Sequence, residues 1–422
     1  MSGDTAPASG SGELHHQPFL QRTLSAVLSG NAFVVTFLAF VSALIIGALI
    51  IVPATPAAMR AWQGFGRAPG EALLQSWKAI ATAYGSLFLG SIGSPRAIVE
   101  ALRTGTASQI VSAFIPLSET LVSTTPLMMA GLGIALAFRA GLFDIGGQGQ
   151  MILGAVGATI AGFSFPHLPL VIHLPFALLS GAAFGAAWGF VPGVLKARTG
   201  AHEVITSMML NYVGLNLLTW LLTTSLVQAP PRNQAISKVV VEAARLPNLT
   251  GSSLRANAGI VIAVLLVLGV GWLLQRSTLG FRFRMLGANR EAARVAGVQI
   301  ERHFTIAMTL AGMLVGLGGA FMVLGVDYRM SPFYSGSIGF DGITVAILGR
   351  GTPLGVALSA LLFGAFTAGG RTMQVNTSIP LYLVQVLQAV LVLFVAAPGV
   401  IRTIYRIRVT RAGGRVFGGW AG

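Results

Sequence analysis

The 422-residue chain contains no cysteine, and its acidic side chains are scarce, 12 against 27 lysines and arginines. The missing thiols exclude disulfides, thiolate metal sites and a cysteine nucleophile. His15 and His16 lie in the N-terminal stretch, and no histidine/carboxylate spacing resembles a metal-ligand set, so neither a metal nor a cofactor is expected. No Gly-x-x-x-x-Gly-Lys-[Ser/Thr] loop occurs, which rules out ATP binding by that mechanism and gives no reason to expect an enzyme. The apolar segments also lack the acidic/histidine relay usual in proton-driven carriers. Charged residues make up only 9% of the chain, against about 25% in soluble domains.

What is present is apolar. Hydrophobic residues account for 54% of the chain, glycine contributes 54 positions, and the mean hydropathy is +0.77. These values predict an all-α polytopic membrane protein with glycine-rich helix contacts, whose main solvent is the lipid bilayer. The net charge of +15 needs no nucleic acid, because the basic residues cluster on one side of the predicted topology.

Residues 1–32 read as a small, polar cytoplasmic tail with at most a short interfacial helix near 19–28. The membrane domain covers 33–400. Its first span, Phe33–Val52, is long enough to cross and too far from the start for a cleaved signal. A mixed extracytoplasmic connection, 53–118, comes next, with a surface helix near 94–105. Further spans are predicted at 119–138, 145–163, 173–195, 204–227, 258–274, 304–326, 354–366 with its flanks, and 380–400; Gly336–Leu348 is too short and reads as a half-span, completing about ten. Residues 401–422 form a basic cytoplasmic tail. With both termini inside, 16 of the 27 basic residues are cytoplasmic and five more fall in the long first connection, where the bias carries little force; 16 against six sets the orientation.

Four segments come after the first span and four after the sixth, starting from opposite sides. In each set the second member opens on a similar cluster, Gly141-Leu-Phe143-Asp144-Ile-Gly146-Gly147 and Gly339-Phe340-Asp341-Gly342-Ile343. Two inverted four-segment repeats with matching glycine-broken members predict a transport path near the midplane. Asp144 and Asp341 either cap helices or line that path. Phe143 and Phe340 either stack on a flat heterocycle or pack against neighbouring helices. Gln148, Gln150, Asn211 and Asn216 are expected to face the protein interior. Gly181, Gly185, Gly189 and Gly193, with Gly312 and Gly316, predict close helix packing.

One stretch is neither apolar nor loose. Phe281–His303, FRFRMLGANREAARVAGVQIERH, is a basic cytoplasmic segment (within a loop, 276–303) between two spans. Asn289 can cap a helix with Glu291 in its first turn; Ala292, Val295 and Ala296 share a face, and Gly297 ends it. Such a helix offers a low-profile surface to a soluble partner.

Glu291-Ala292-Ala293 followed by Gly297 resembles the EAA-x-x-x-G loop of ABC importer permeases. The runs Gly141-LFDIGGQGQMILGA, Gly200-AHEVITSMMLNY and Gly339-FDGITVAILGRGTPLG are similar to the permease family serving branched-chain amino acids, ribose-type sugars and nucleosides, and most similar to its nucleoside (simple sugar) branch. The resemblance implies the ABC importer permease fold in a bacterial inner membrane. It implies a cytoplasmic ATPase on Asn289, Glu291, Ala292, Ala293 and Gly297, a second, often non-identical permease subunit, and an extracytoplasmic binding lipoprotein. Phe143, Asp144, Gln148, Asn211, Tyr212, Phe340 and Asp341 are then expected along the substrate pathway. A ribose-type sugar permease, a stand-alone secondary carrier and a non-transporting scaffold are the alternative readings.

Overall fold

The computed structural model describes residues 32–405 except Phe333, Ser335 and Ser378. Most of both tails, including the interfacial helix expected near 19–28, therefore lies outside the described residues.

Every expected span coincides with a helix. In chain order these are α1 (Ala32–Ala54), α2 (Pro56–Gln63), α3 (Pro69–Ile92), α4 (Pro95–Thr104), α5 (Ala107–Arg139), α6 (Gly147–Ser164), α7 (Leu170–Thr199) and α8 (Glu203–Leu221). After a non-helical excursion containing a short extended piece, Leu249–Ser252, come α9 (Gly259–Arg276), α10 (Thr278–Ala288), α11 (Arg290–Val295), α12 (Ile300–Met322), α13 (Ile338–Leu348), α14 (Pro353–Thr377), α15 (Tyr382–Ala396) and α16 (Pro398–Ile404). Among the described residues seven helices are long and apolar enough to cross a membrane, or eight if α15 and α16, bent by 89°, count as one. The bend falls where Pro398 cannot continue the backbone ladder. Two expected segments fall short for different reasons. α6 opens on the polar run Gly-Gln-Gly-Gln, and α13 has 11 residues, about 16 Å.

Among the elements that were not expected, two shape the bundle. Within the first connection α3 runs for 24 residues, about 36 Å, and its Leu87 joins Ile51 of α1, Met373 of α14 and Leu387 of α15 in one apolar cluster. Its alternating small and polar residues had hidden that length. The other is a π-helical turn, Val323–Asp327, which prolongs α12.

The larger core lies between α5, α6, α7 and α12. α12 packs along α7, and α5 along α14; α6 rests on α12, and α13 on α5. The first of these contacts is a backbone-to-backbone seam. A Cβ on Gly185 would lie 2.6 Å from the Gly316 Cα, and one on Gly189 3.0 Å from the Gly312 Cα. The glycine series read from the sequence is thus a helix-packing device, since only glycine lets the two axes approach so closely.

Gly185→Leu should therefore destabilise the folded protein by more than about 2 kcal/mol, by overpacking. Gly269→Leu, whose Cβ would meet no atom within 4 Å, should melt like the parent in detergent. Equal melting temperatures for the two variants would contradict the seam.

Candidate functional site

Two regions carry the unusual chemistry: an exposed short-helix surface around α11 on one face, the candidate docking surface, and a polar cavity reached from the other. The two glycine-broken helix openings lie between them and connect them.

The docking surface begins where α9 ends. Ser277 Oγ accepts from the Gly280 N–H and starts α10, a helix that the sequence pattern does not separate from the loop. Phe283 and Leu286 of α10 are buried and hold it against the bundle. Asn289 then starts α11 as expected, its Oδ1 accepting from the Ala292 N–H at 3.0 Å. Ala293 is buried beneath the helix, while Ala292, Val295 and Ala296 are exposed on top, Val295 by 90%. Gly297 ends the element at φ +80°, a left-handed conformation that favours glycine, with open space around it. Glu291 pairs with Arg294 at 3.1 Å on the surface.

This surface is fastened to the turn between α5 and α6. Arg290 Nη2 donates to the Gly141 carbonyl at 3.2 Å, and its guanidinium lies over the Phe304 ring. Gly141, at φ +75°, would bring a Cβ to 3.0 Å from the Gly287 Cα. Arg139 Nε donates to the Gly351 carbonyl at 2.8 Å, so the end of the half-span α13 is fixed at the same level.

Beyond Gly141 the chain is held by side chains. Asp144 is fully buried; Oδ1 accepts from the Gly146 N–H and Oδ2 from Gln150 Nε2, both at 2.8 Å. Asn211, also buried, reaches in from α8. Its Oδ1 accepts from the Gly149 N–H and its Nδ2 donates to the Ile145 carbonyl, again at 2.8 Å. The Glu203–Lys196 ion pair, 2.9 Å, fixes the α7–α8 turn that sets this register. Gln148 crosses to the second broken opening: Nε2 donates to the Gly336 carbonyl at 2.9 Å, and Oε1 accepts from the Gly339 N–H at 3.0 Å. A Cβ on Gly147 would stand 2.8 Å from the Gly339 carbonyl oxygen. The two similar sequence clusters thus meet in the interior.

The expected pathway residues do not all gather there. Phe143 stacks on Phe138 with centroids 4.9 Å apart. Phe340 is 42% exposed, and Tyr212 is 59% exposed on the outer face of α8. Asn216 also faces outward rather than inward, its amide donating to the Tyr212 carbonyl. Five positions at about 100° each turn it roughly 140° from Asn211, so one helix cannot bury both.

Asp341, in the first turn of α13, accepts from Ser337 Oγ at 2.9 Å and borders a cavity of about 260 Å³. That cavity brings in residues that were not expected from the sequence: Arg255, Asp327, Arg371, Gln385 and Gln388. Arg255 bonds both oxygens of Glu119 at 3.1 and 3.2 Å, and Arg371 approaches the same carboxylate at 3.8 Å. The Arg255 loop is bolted down on both sides, by the Ala256 N–H to Ser118 Oγ and by Asn257 Nδ2 to the Gly325 carbonyl in the π-turn. Arg371 on the flank of the predicted 354–366 segment, now within α14, was the signal that sequence reasoning had available. Arg255 precedes α9 and the docking surface lies after it, so mouth and surface are about 27 Å apart across that 18-residue helix.

The family described as "Branched-chain amino acid transport system / permease component" matches residues 117–396. The chain belongs to this permease family. Within it the permease is 36% identical to the guanosine ABC transporter permease protein of Bacillus subtilis over 68% of this chain and 82% of that one. It is 32% identical to a nucleoside ABC transporter permease protein of Lactococcus lactis, over 76% and 85% of the two chains. A glucose ABC transporter permease protein of Haloferax volcanii is 34% identical over 66% and 75%. No solved structure matches. The permease is thus a transport component of the nucleoside and simple-sugar branch of ABC importers, and the matched stretch contains both broken openings and the exposed α11 surface.

Replacing Asn211 by leucine strands the Gly149 N–H and the Ile145 carbonyl inside the bundle, each costing about 1–3 kcal/mol. Met209→Leu, on the exposed face, should change stability by less than about 0.5 kcal/mol. Thermal unfolding in detergent compares the two, and an Asn211→Leu variant as stable as Met209→Leu would remove the anchoring role.

Proposed function

We propose that the permease is one of two membrane-spanning subunits of an ATP-driven importer that moves nucleosides across a bacterial cytoplasmic membrane by alternating access. The observation that carries this reading is the link from the exposed α11 surface, through Arg290 and Gly287, to Gly141 and on to the broken openings of α6 and α13. A helix with exposed Ala292, Val295 and Ala296 has no role within the bundle, and the chain carries no phosphate loop of its own. A separate cytoplasmic ATPase docked on Asn289–Val298 supplies both the partner and the energy. Closure of that ATPase presses on α11, moves the Gly141 turn and shifts one four-segment repeat against the other. The reciprocal packing of α12 on α7 and α5 on α14 supports two such repeats of opposite orientation.

Asp144, Gln148 and Asn211 set the shape of the first opening, and Asp341 faces the passage; Phe143 and Phe340 flank the two openings. Tyr212, Asn216 and Thr219 share the exposed face of α8 with Met208 and Met209. An amide at bilayer depth is poorly matched to lipid, which favours a second permease subunit on that face. An extracytoplasmic binding lipoprotein delivers substrate to the face opposite α11. The basic residues cluster on the α11 side, and both termini are assigned to the cytoplasm on the same bias. The glucose permease among the relatives favours a second reading, a sugar permease of the same fold. Competition of uptake by nucleosides against pentoses and glucose separates the two.

Two outcomes test the proposal. The permease alone in vesicles should do no concentrative work, whereas the complex with its ATPase should concentrate nucleoside on ATP addition. Gly297→Trp should leave insertion and assembly intact and abolish uptake by the complex. Normal uptake in that variant would eliminate α11 as the docking element.

A further inference from the structure

The cavity beside Asp341 lies within this one chain, walled by α5, α12, α13, α14 and α15. We propose that it is a binding site for one uncharged nucleoside, a holding site inside a single permease subunit; this rests on the nucleoside reading above. Its size is close to the lower end, about 300 Å³, of cavities that hold small organic ligands. Its apolar lining comes from Val122 and Leu127 of α5, Met322 of α12 and Ile338 of α13. Such walls suit the flat faces of a heterocycle.

The polar groups converge from two levels. Asp341 uses Oδ2 toward Ser337, and among the described residues nothing donates to its Oδ1. Gln388 is only 8% exposed, yet among the described residues its one hydrogen bond is a 3.5 Å contact to the Phe363 carbonyl, at the outer limit of such bonds. An amide so poorly paired within the protein is open to completion by water or a ligand. Asp341 accepts from ligand hydroxyls, and Gln388 offers a donor and an acceptor to a base edge. Gln385 and Asp327, both exposed, stand at the mouth.

Charge decides what is refused. Both arginines at the mouth are already directed at Glu119. Against these two cations stand three carboxylates, Glu119, Asp327 and Asp341, leaving the site one negative charge. A phosphate group, carrying about −1.5 to −2 at neutral pH, meets net repulsion there, and the Arg255 guanidinium is already held by both Glu119 oxygens.

The absence of cysteine from the chain makes a direct test simple. Ser123→Cys and Gln385→Cys each place one thiol on the cavity, and Val171→Cys places one on the 79% exposed start of α7. The complex in nanodiscs is treated with a methanethiosulfonate reagent, and modification is read on this chain after electrophoretic separation. Saturating guanosine or uridine should slow modification of both cavity thiols by at least about tenfold, equivalent to about 1.4 kcal/mol, while the Val171→Cys rate stays unchanged. GMP, ribose and glucose should not protect. Unchanged rates in a complex that still imports guanosine would overturn the cavity site and leave the permease reading standing. Protection by GMP, or by glucose alone, would overturn the assignment to an uncharged nucleoside. A complex that imports no nucleoside at all would overturn the permease reading and this inference together. Should Ser123→Cys fail to assemble, Gln385→Cys at the exposed mouth carries the same test.

Discussion

The interior of this permease depends on satisfying backbone groups where there is no water to do so. α6 and α13 both begin inside the bundle, and each beginning leaves amide N–H groups without a helical partner. Gln148 answers for one of them by bonding the Gly339 N–H, and it also takes up the Gly336 carbonyl. Asn211 answers for Gly149 and Asp144 for Gly146. Buried polar side chains that look like substrate ligands in the sequence are therefore first of all the price of interrupting a helix inside a membrane.

The same contacts make the interrupted region a junction. Gly147 approaches the Gly339 carbonyl too closely for any side chain, and Gly141 approaches Gly287 in the docking loop. Arg290 adds a hydrogen bond to the second of these contacts. Backbone contacts and fixed side chains thus connect α11 to the two broken openings, with few rotatable links between. Helices that meet at glycine are stiff against compression yet can slide or tilt, because no side chains interlock across the seam. The α7–α12 seam has this character over about one turn, from Gly185 to Gly189 against Gly312 and Gly316.

Electrostatics is arranged differently at the two ends. The α11 face is basic and open, with Arg294 and Glu291 both largely in solvent, where such a pair adds little stability. At the opposite face Glu119 collects two arginines from segments distant in sequence, the Arg255 loop and α14, and ties the mouth of the cavity together. The π-turn at Val323–Asp327 contributes to that arrangement. Its Gly325 carbonyl holds Asn257, next to Arg255, and its last residue, Asp327, borders the cavity. Single π-turns within helices are often found at functional sites.

The sequence by itself determined the features that rest on periodicity, composition and local caps. The ten apolar segments, the short α13, the Asn289 cap, the left-handed Gly297 and the glycine seam were legible because each depends on residues a few positions apart. α3 was not, since its small and polar residues resemble a connection until α1 and α14 are packed against it. Nor was the fate of Asn211, Tyr212 and Asn216, because a set of polar residues does not say which side of α8 turns inward. Only the tertiary structure decided that Gln148 bridges the two openings, and that Arg255, Asp327, Arg371 and Gln388 line one cavity whose two arginines Glu119 holds. The physical reason is shared: contacts between residues tens to hundreds of positions apart leave no local pattern, and exist only once helix packing has set the distance.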